Sequence, residues 1–509
     1  MRLATLKKRG AAPLTKRRTT GAPPVGESFP VPAPSMGMNT RDGIASLNAL
    51  EARQIENMIV ESGRLVCRPG KDQHQTITGA PSIGSAFTHE RADGSQVLLV
   101  AADGEIWDAT GTPDQLSAGN YTLDSWSFVQ MNDTTLACNG TDTPWAYDGT
   151  TLSATGWSGS GLTIANLRSL HKVGVRVWAT EEGSADVWYL PVEAITGTWT
   201  KFNLSLITKG GYCVGIYPFR TSTVFVMSTG DILAYQGDPS TTFALAGEYT
   251  APKPVGHDPG LVVGSDCIIM TQGGPLPFEA IASGMAFDTG ALQAWGKIAP
   301  SWVEDFRMFG GNEGWNAVYF KGLILFNIPT DETESKQWVF NQRTKAWSYW
   351  TNLNGRQFTE LNGVLHFGDM GSNKIFANRT GTDEGEPIIA PVRQAFFLPW
   401  GGKKNGEFTL ARLNLRATGA ITARCQIDVD YEANGISAPE VPLSSSGSGP
   451  WDEPWDSPWG TDGAAQKRWS GIRGFGRAVA PVVEFHSSAD VLEWSTTDVI
   501  GVVAAAGLI

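Results

Sequence analysis

The sequence predicts an all-β chain: a β-propeller, with an additional C-terminal antiparallel β-sandwich-like module and an extended N-terminal arm. Three observations carry this. Glycine (59 residues) and tryptophan (19) are abundant, while charged residues make up only 18% of the 509; that balance favours short strands and tight turns over long charged helices. Hairpin-like runs, each an aliphatic strand, a polar turn and an aromatic-bearing strand, begin at intervals of roughly 40 residues, the length of a four-stranded blade. Near the C-terminus, apolar and polar residues alternate strictly, as half-buried antiparallel strands require.

In chain order, residues 1–35 read as the arm. Arg2, Lys7, Lys8, Arg9, Lys16, Arg17 and Arg18 place seven positive charges and no negative one in the first 18 residues. The GAPPVGESFPVPAPS stretch (21–35) then reads as an extended, proline-rich tether. Residues 36–400 form the propeller-like body with a short opening segment. In that segment Ala45, Leu47, Leu50, Ala52, Ile55 and Ile59 recur at near-helical spacing behind the capping residues Asn39 to Asp42, which predicts a helix, with a strand pair as the alternative.

The hairpins that follow include QVLLVAADGEIWDATG (96–111), TTLACNGTDTPWAYDGTTL (134–152), VGVRVWATEEGSADVWYLP (173–191) and STVFVMSTGDILAYQGD (222–238). Two more lie at 315–350 and 358–381. Their recurring aromatics, as in EIWD, PWAYDG, VWYL, ILAYQG and KIFANR, are the large residues that fill wedges between twisted blades. A pair of β-sandwiches is the plain alternative. Residues 401–509 form the C-terminal module, whose inward face is predicted to carry Leu413, Leu415, Ile421, Ala423, Cys425, Ile427 and Val429.

Within that module PWDEPWDSPWG (450–460) spaces Trp451, Trp455 and Trp459 four apart, each behind a proline. Helix is excluded by the prolines, and a central strand cannot hold three of them. A polyproline II path, with three residues per turn, would splay the rings in three directions. The three tryptophans are therefore candidates for packing within the module or contact between subunits, with a sugar-stacking platform as the alternative.

Five cysteines lie far apart without a CxxC pair, which predicts reduced core thiols and neither a disulfide framework nor a zinc site. The six histidines form no HxH or HExxH pattern, so no metal ligands, cofactor or catalytic residues are expected. The close carboxylates Asp103, Glu105 and Asp108, or Asp452, Glu453 and Asp456, could in principle serve a glycosidase, but Asp103-Gly104 reads better as a turn. With no long apolar run and no leader signal, the chain is expected to be soluble and made in a cytoplasm.

Several stretches carry a family resemblance: MNTRDGIASLNALEARQIENMIVESGRLVCRPG (38–70), DILAYQGDPSTTFALAGEYTAPKPVG (231–256), WVFNQRTKAWSYW (338–350), and the Trp-rich loop followed by GIRGFGRAVAPVVEFHSSADVLEW. Together they resemble the tail nozzle family of short-tailed bacteriophages, also called tail tubular protein B. The resemblance spans nearly the whole chain and rests on turn and aromatic patterns; the basic first 18 residues depart from it.

It implies a non-enzymatic virion tail protein, made in the host cytoplasm, with six copies in a ring below an adaptor ring and a central tube for genome ejection. The implied partners are further copies of the chain, adaptor or head-to-tail connector proteins, tail fibres or spikes, and the host envelope; DNA would pass without sequence-specific binding. The basic arm lies outside the resemblance; its charge on an otherwise acidic chain predicts contact with the adaptor ring or a neighbouring subunit, with a solvated tail as the alternative. Charge fits this reading, because the rest of the chain carries about −19, and an acidic bore does not hold phosphates. The alternative is a propeller-fold tail protein that degrades or binds polysaccharide.

Overall fold

The computed structural model describes residues 26–117, 119–284, 294–443 and 464–503, with side chains placed for all of these except 464–468. Its centre is a seven-bladed β-propeller. Blades 1 to 6 follow chain order over residues 85–115, 127–154, 157–203, 213–250, 260–277 and 316–350. The third has a fifth strand, Trp157–Gly159, added in parallel, and the fifth has only three. Blade 7 takes three strands from 355–380 and its fourth from Gly70–Thr76, so the ring is closed by pairing two segments some 300 residues apart.

The aromatics picked out in the sequence fill the wedges. Trp145, Tyr147, Trp188, Tyr189, Tyr235 and Phe376 are all buried. Between blades 3 and 4, Trp178, Phe202, Phe225, Tyr235 and Phe243 meet largely edge to face, the geometry ring quadrupoles prefer. Asp103 and Gly104 both have positive φ at the turn of blade 1, the turn chemistry expected of that pair.

Around the axis, where each first strand would otherwise leave backbone donors unpaired, side chains from the adjacent blade supply acceptors. Gln357 accepts from the Ala86 N–H (3.3 Å) and Thr359 from Thr88 (3.1 Å), joining blade 7 to blade 1. Gln130 accepts from Glu90 (3.0 Å) and Ser127 from Leu170 (3.0 Å), joining the next two junctions.

A second sheet of ten strands is built from both flanks of the propeller. Its spine is the antiparallel ribbon Gly406–Val429 with Val479–Val503, paired from Gly406↔Val503 to Val429↔Val479. At Thr418/Gly419 the register shifts; Gly419 has φ +121°, and a Cβ there would sit 2.9 Å from the Ala489 Cα. One half of the ribbon is flanked by Ala464–Gly476 and Glu27–Pro32, the other by Val441–Pro442 and Glu386–Gln394. The predicted inward face holds: Leu413, Leu415, Ile421, Ala423, Cys425 and Ile427 are buried and Val429 is half-buried. One hydrophobic cluster runs from these residues into Phe326, Phe340 and Trp347 of blade 6, so sheet and propeller share a core.

Three expectations are corrected. The helix predicted around 45–59 is absent: Ala52–Ile55 and Met58–Glu61 are strands, with Asn57 between them in a left-handed conformation (φ 55°) that no helix accommodates. The domain boundaries also move. The propeller strands lie between Gly70 and Thr380, while the strands within 27–67, 382–442 and 464–503 belong to the second sheet, so the opening segment leaves the body and the C-terminal module starts before 401. Residues 27–35 are not a free arm: Glu27–Pro32 pairs with Thr496–Gly501, and Phe29 lies edge-on to Trp400 at 5.0 Å. Pro30 and Pro32 are tolerated because, among the described residues, this strand is paired on one side only. Beginning the chain at Ser35 is therefore expected to lower stability by about 2 kcal/mol relative to beginning it at Gly26, from lost burial of Val31 and Phe29. Equal urea midpoints for the two chains would contradict this.

Where the chain enters and leaves the propeller, a buried guanidinium holds the crossing together. Arg68 donates to both Asp383 oxygens (3.0 and 2.7 Å), to Asn57 Oδ1 (2.8 Å), and to the carbonyls of Pro69 (2.9 Å) and Thr351 (2.9 Å). Asp383 also accepts from Asn352 and from the Lys71 N–H. Burial alone would raise the Asp383 pKa, but these bonds and the Arg68 charge bring it below its ordinary value. Gly70 follows directly; a Cβ there would collide with the Thr382 backbone.

Candidate functional site

The first strands of all seven blades, with the loops before them, surround a cavity of about 780 Å³ on the propeller axis. Because every blade contributes to it, the lining is assembled from points distant in the chain: Phe87, Trp126, Phe128, Arg168, Lys253, His257, Asp258, Glu313, Arg356 and Glu360 among others. Blade 5 ends early, and after it the helix Ala299–Phe309 packs with Trp302 fully buried, its indole donating to the Thr271 carbonyl at 2.8 Å. The loop leaving this helix, Gly310 to Gly314, forms part of the cavity wall. Asn312 ties it to the Pro329 carbonyl (3.0 Å), and Trp315 ties back to Phe309 (3.0 Å).

Cations and carboxylates in the lining are balanced. Arg168 pairs with Glu182 at 3.3 Å and donates to the Asn139 carbonyl. His257 reaches solvent but is walled in by the cavity; the resulting desolvation lowers its pKa, Arg168 adds to this, and Glu182 and Glu313 oppose it. Asp258 accepts the Tyr217 hydroxyl, which in turn accepts the Gly260 N–H at 2.7 Å. The Tyr217 ring is cradled by Gly215 and Gly260, where any side chain would strike it, and burial together with the Asp258 charge raises its pKa well above 10. Behind it, His171 lies edge-on to Tyr217 (5.3 Å) and bonds Ser169 (2.8 Å), which bonds Thr180 (2.6 Å). His171 is buried, which lowers its pKa.

The second feature is an edge. Among the described residues, Ala464–Gly476 pairs only with the ribbon, leaving its outer side open, and it exposes Trp469 (39%) and Phe475 (54%). Arg412 lies over the Trp469 ring at 4.7 Å. Unlike the opposite edge at Glu27–Pro32, it contains no proline, so none of its outward-facing N–H groups is lost to a proline ring.

Of the residues singled out in the sequence, Trp451, Trp455 and Trp459 lie outside the described residues, as do Arg2, Lys7, Lys8, Arg9, Lys16, Arg17 and Arg18, and the carboxylates Asp452, Glu453 and Asp456. Asp103, Glu105 and Asp108 sit at and after the blade 1 turn, away from the cavity lining; Asp108 accepts the Thr110 N–H (2.9 Å). All five cysteines are free, and burial pushes the thiols of Cys67, Cys213 and Cys425 up to about 12. Among the described residues no three of His, Cys, Asp and Glu gather as metal ligands. The cavity and the Trp469/Phe475 edge were missed. The glycine cluster GGNEG at 310–314 is the one sequence signal that could have pointed to the cavity.

No family model matches the chain, and no curated protein matches it. Among solved structures, a computationally designed protein, Ika8, aligns at TM-score 0.39 and 11% identity over 64% of this chain and 96% of its own. The WD40 propeller domain of Doa1 aligns at 0.39 and 11% over 61% and 96%. A virginiamycin B lyase from Staphylococcus aureus, with quinupristin, aligns at 0.39 and 11% over 60% and 98%. At such identities the likeness concerns the fold alone. The chain is a seven-bladed β-propeller carried on a second, ten-stranded sheet.

Proposed function

We propose that the chain is a structural subunit of a ring, of the tail nozzle type found in short-tailed bacteriophages, which guides DNA without chemistry and docks on connector proteins. The observation that supports this reading is the open edge at Ala464–Gly476, free of proline and carrying exposed Trp469 and Phe475. Proteins normally blunt such an edge unless something pairs with it. In a closed ring each copy meets two neighbours through two different faces, so this edge would meet a second, complementary surface of the adjoining copy. The Trp-rich segment 451–459 lies shortly before this strand in sequence. The acid balance of the chain beyond its first 18 residues, about −19, suits a bore along which phosphates slide.

The test is assembly of the full chain with its connector complex, followed by mass measurement and electron cryomicroscopy. Phe475→Asp is expected to leave the melting temperature of the isolated chain nearly unchanged and to weaken ring formation by the 2–4 kcal/mol typical of an aromatic hot spot, roughly 30- to 1,000-fold. Rings that form normally with the variant would remove the edge from the assembly. Release of oligosaccharide from host capsule or lipopolysaccharide, abolished by changing one carboxylate, would replace the structural reading with the depolymerase alternative.

A further inference from the structure

We infer that the axial cavity of the propeller is a binding site for a short, uncharged glycan. The cavity falls within the roughly 300–1,000 Å³ range of small-molecule sites, and its chemistry selects among ligand classes. The lining carries three cations, Arg168, Lys253 and Arg356, and three carboxylates, Asp258, Glu313 and Glu360. A phosphate or polyanion site needs a surplus of donors and positive charge, and this wall has none. A sugar hydroxyl both donates and accepts, so a wall that mixes guanidinium, ammonium and carboxylate groups can satisfy it from either side.

Two further features point the same way. Phe87 and Phe128, on the first strands of blades 1 and 2, stack at 5.0 Å and 14° and are both half-buried in the lining, offering the apolar face on which a pyranose ring rests. Glu313 and Glu360 are exposed within the cavity and make no ion pair among the described residues, leaving both carboxylates available for hydroxyl groups.

The test uses the full chain and neutral tetrasaccharides of gluco, galacto and manno configuration, followed by calorimetry and saturation-transfer NMR, with tripolyphosphate as the charged control. At least one tetrasaccharide is expected to bind, with affinity reduced about tenfold or more by Glu360→Gln and by Glu313→Gln, while tripolyphosphate fails to displace it. Both positions are solvent-exposed, so neither change should disturb folding, which circular dichroism would check. Absence of binding by every tetrasaccharide at about 10 mM, binding insensitive to both substitutions, or displacement by tripolyphosphate would each overturn the assignment. Because the probe is glycan binding and not ring assembly, this outcome is independent of the Phe475→Asp experiment.

Discussion

Replacing Arg68 with methionine is expected to destabilise the protein by about 3–5 kcal/mol, the usual consequence of leaving one member of a buried ion pair alone. Arg68 is 2% exposed and Asp383 5%, and the guanidinium makes five hydrogen bonds that join four separate stretches of chain. Removing it strands Asp383 without its cation and frees the Thr351 and Pro69 carbonyls. The Arg68→Met, Asp383→Leu double variant should recover part of the loss, since an apolar pair avoids the isolated charge; the carbonyl partners remain unsatisfied, so recovery stays incomplete. Urea unfolding of the two single variants and the double variant measures this directly. A loss below about 1 kcal/mol for Arg68→Met, in the range of an exposed ion pair, would mean that the crossing is held by the shared core alone.

The sequence made part of this legible. Blade hairpins announce themselves because a continuous apolar strand, buried on both faces, is bounded by polar turns, as in QVLLVAADGEIWD, where Val97 to Ala102 are all buried. The ribbon was readable for the same reason, through the alternation from Leu413 to Ile427. Ring closure was not: the closing strand Gly70–Thr76 reads GKDQHQT, polar throughout, because its register comes from pairing with Lys374–Thr380 and not from its own hydrophobicity. The strand Ala52–Ile55 was legible only as the alternative to a helix, since its pairing with Val392, Arg393 and Gln394 decides its conformation while local spacing favours a helix. Helix Ala299–Phe309 carries a good hydrophobic stripe, but it was overlooked among strand-rich neighbours. Cavity residues are the least visible class, because the propeller brings them together from seven places and no local motif records that.

The second large effect is acid sensitivity of the closing blade. His366 is 3% exposed, and its pKa is lowered to about 4, chiefly by burial, with His74 and Arg379 adding and the Val364 carbonyl and Asp72 opposing. His74, on the strand that closes the ring, lies edge-on to it at 4.8 Å and is also lowered by burial. In the unfolded chain a histidine takes its proton near pH 6.5. Between about 6.5 and 4 the unfolded state therefore binds more protons than the folded one, and stability must fall as pH falls through that window, then level off once both states are protonated. For His366 alone the shift amounts to about 3 kcal/mol. His89, His171 and His257 are shifted in the same direction, whereas the half-buried carboxyls Asp124, Asp266 and Asp369 have raised pKa values and offset part of the loss near the acid end. The total slope is thus a sum, and the informative measurement is a difference. His366→Asn should reduce the stability lost between pH 7 and pH 4 by about 3 kcal/mol, whatever its effect at pH 7. Urea midpoints that fall equally steeply with acid in the variant and the parent would show that His366 takes up its proton without opening blade 7.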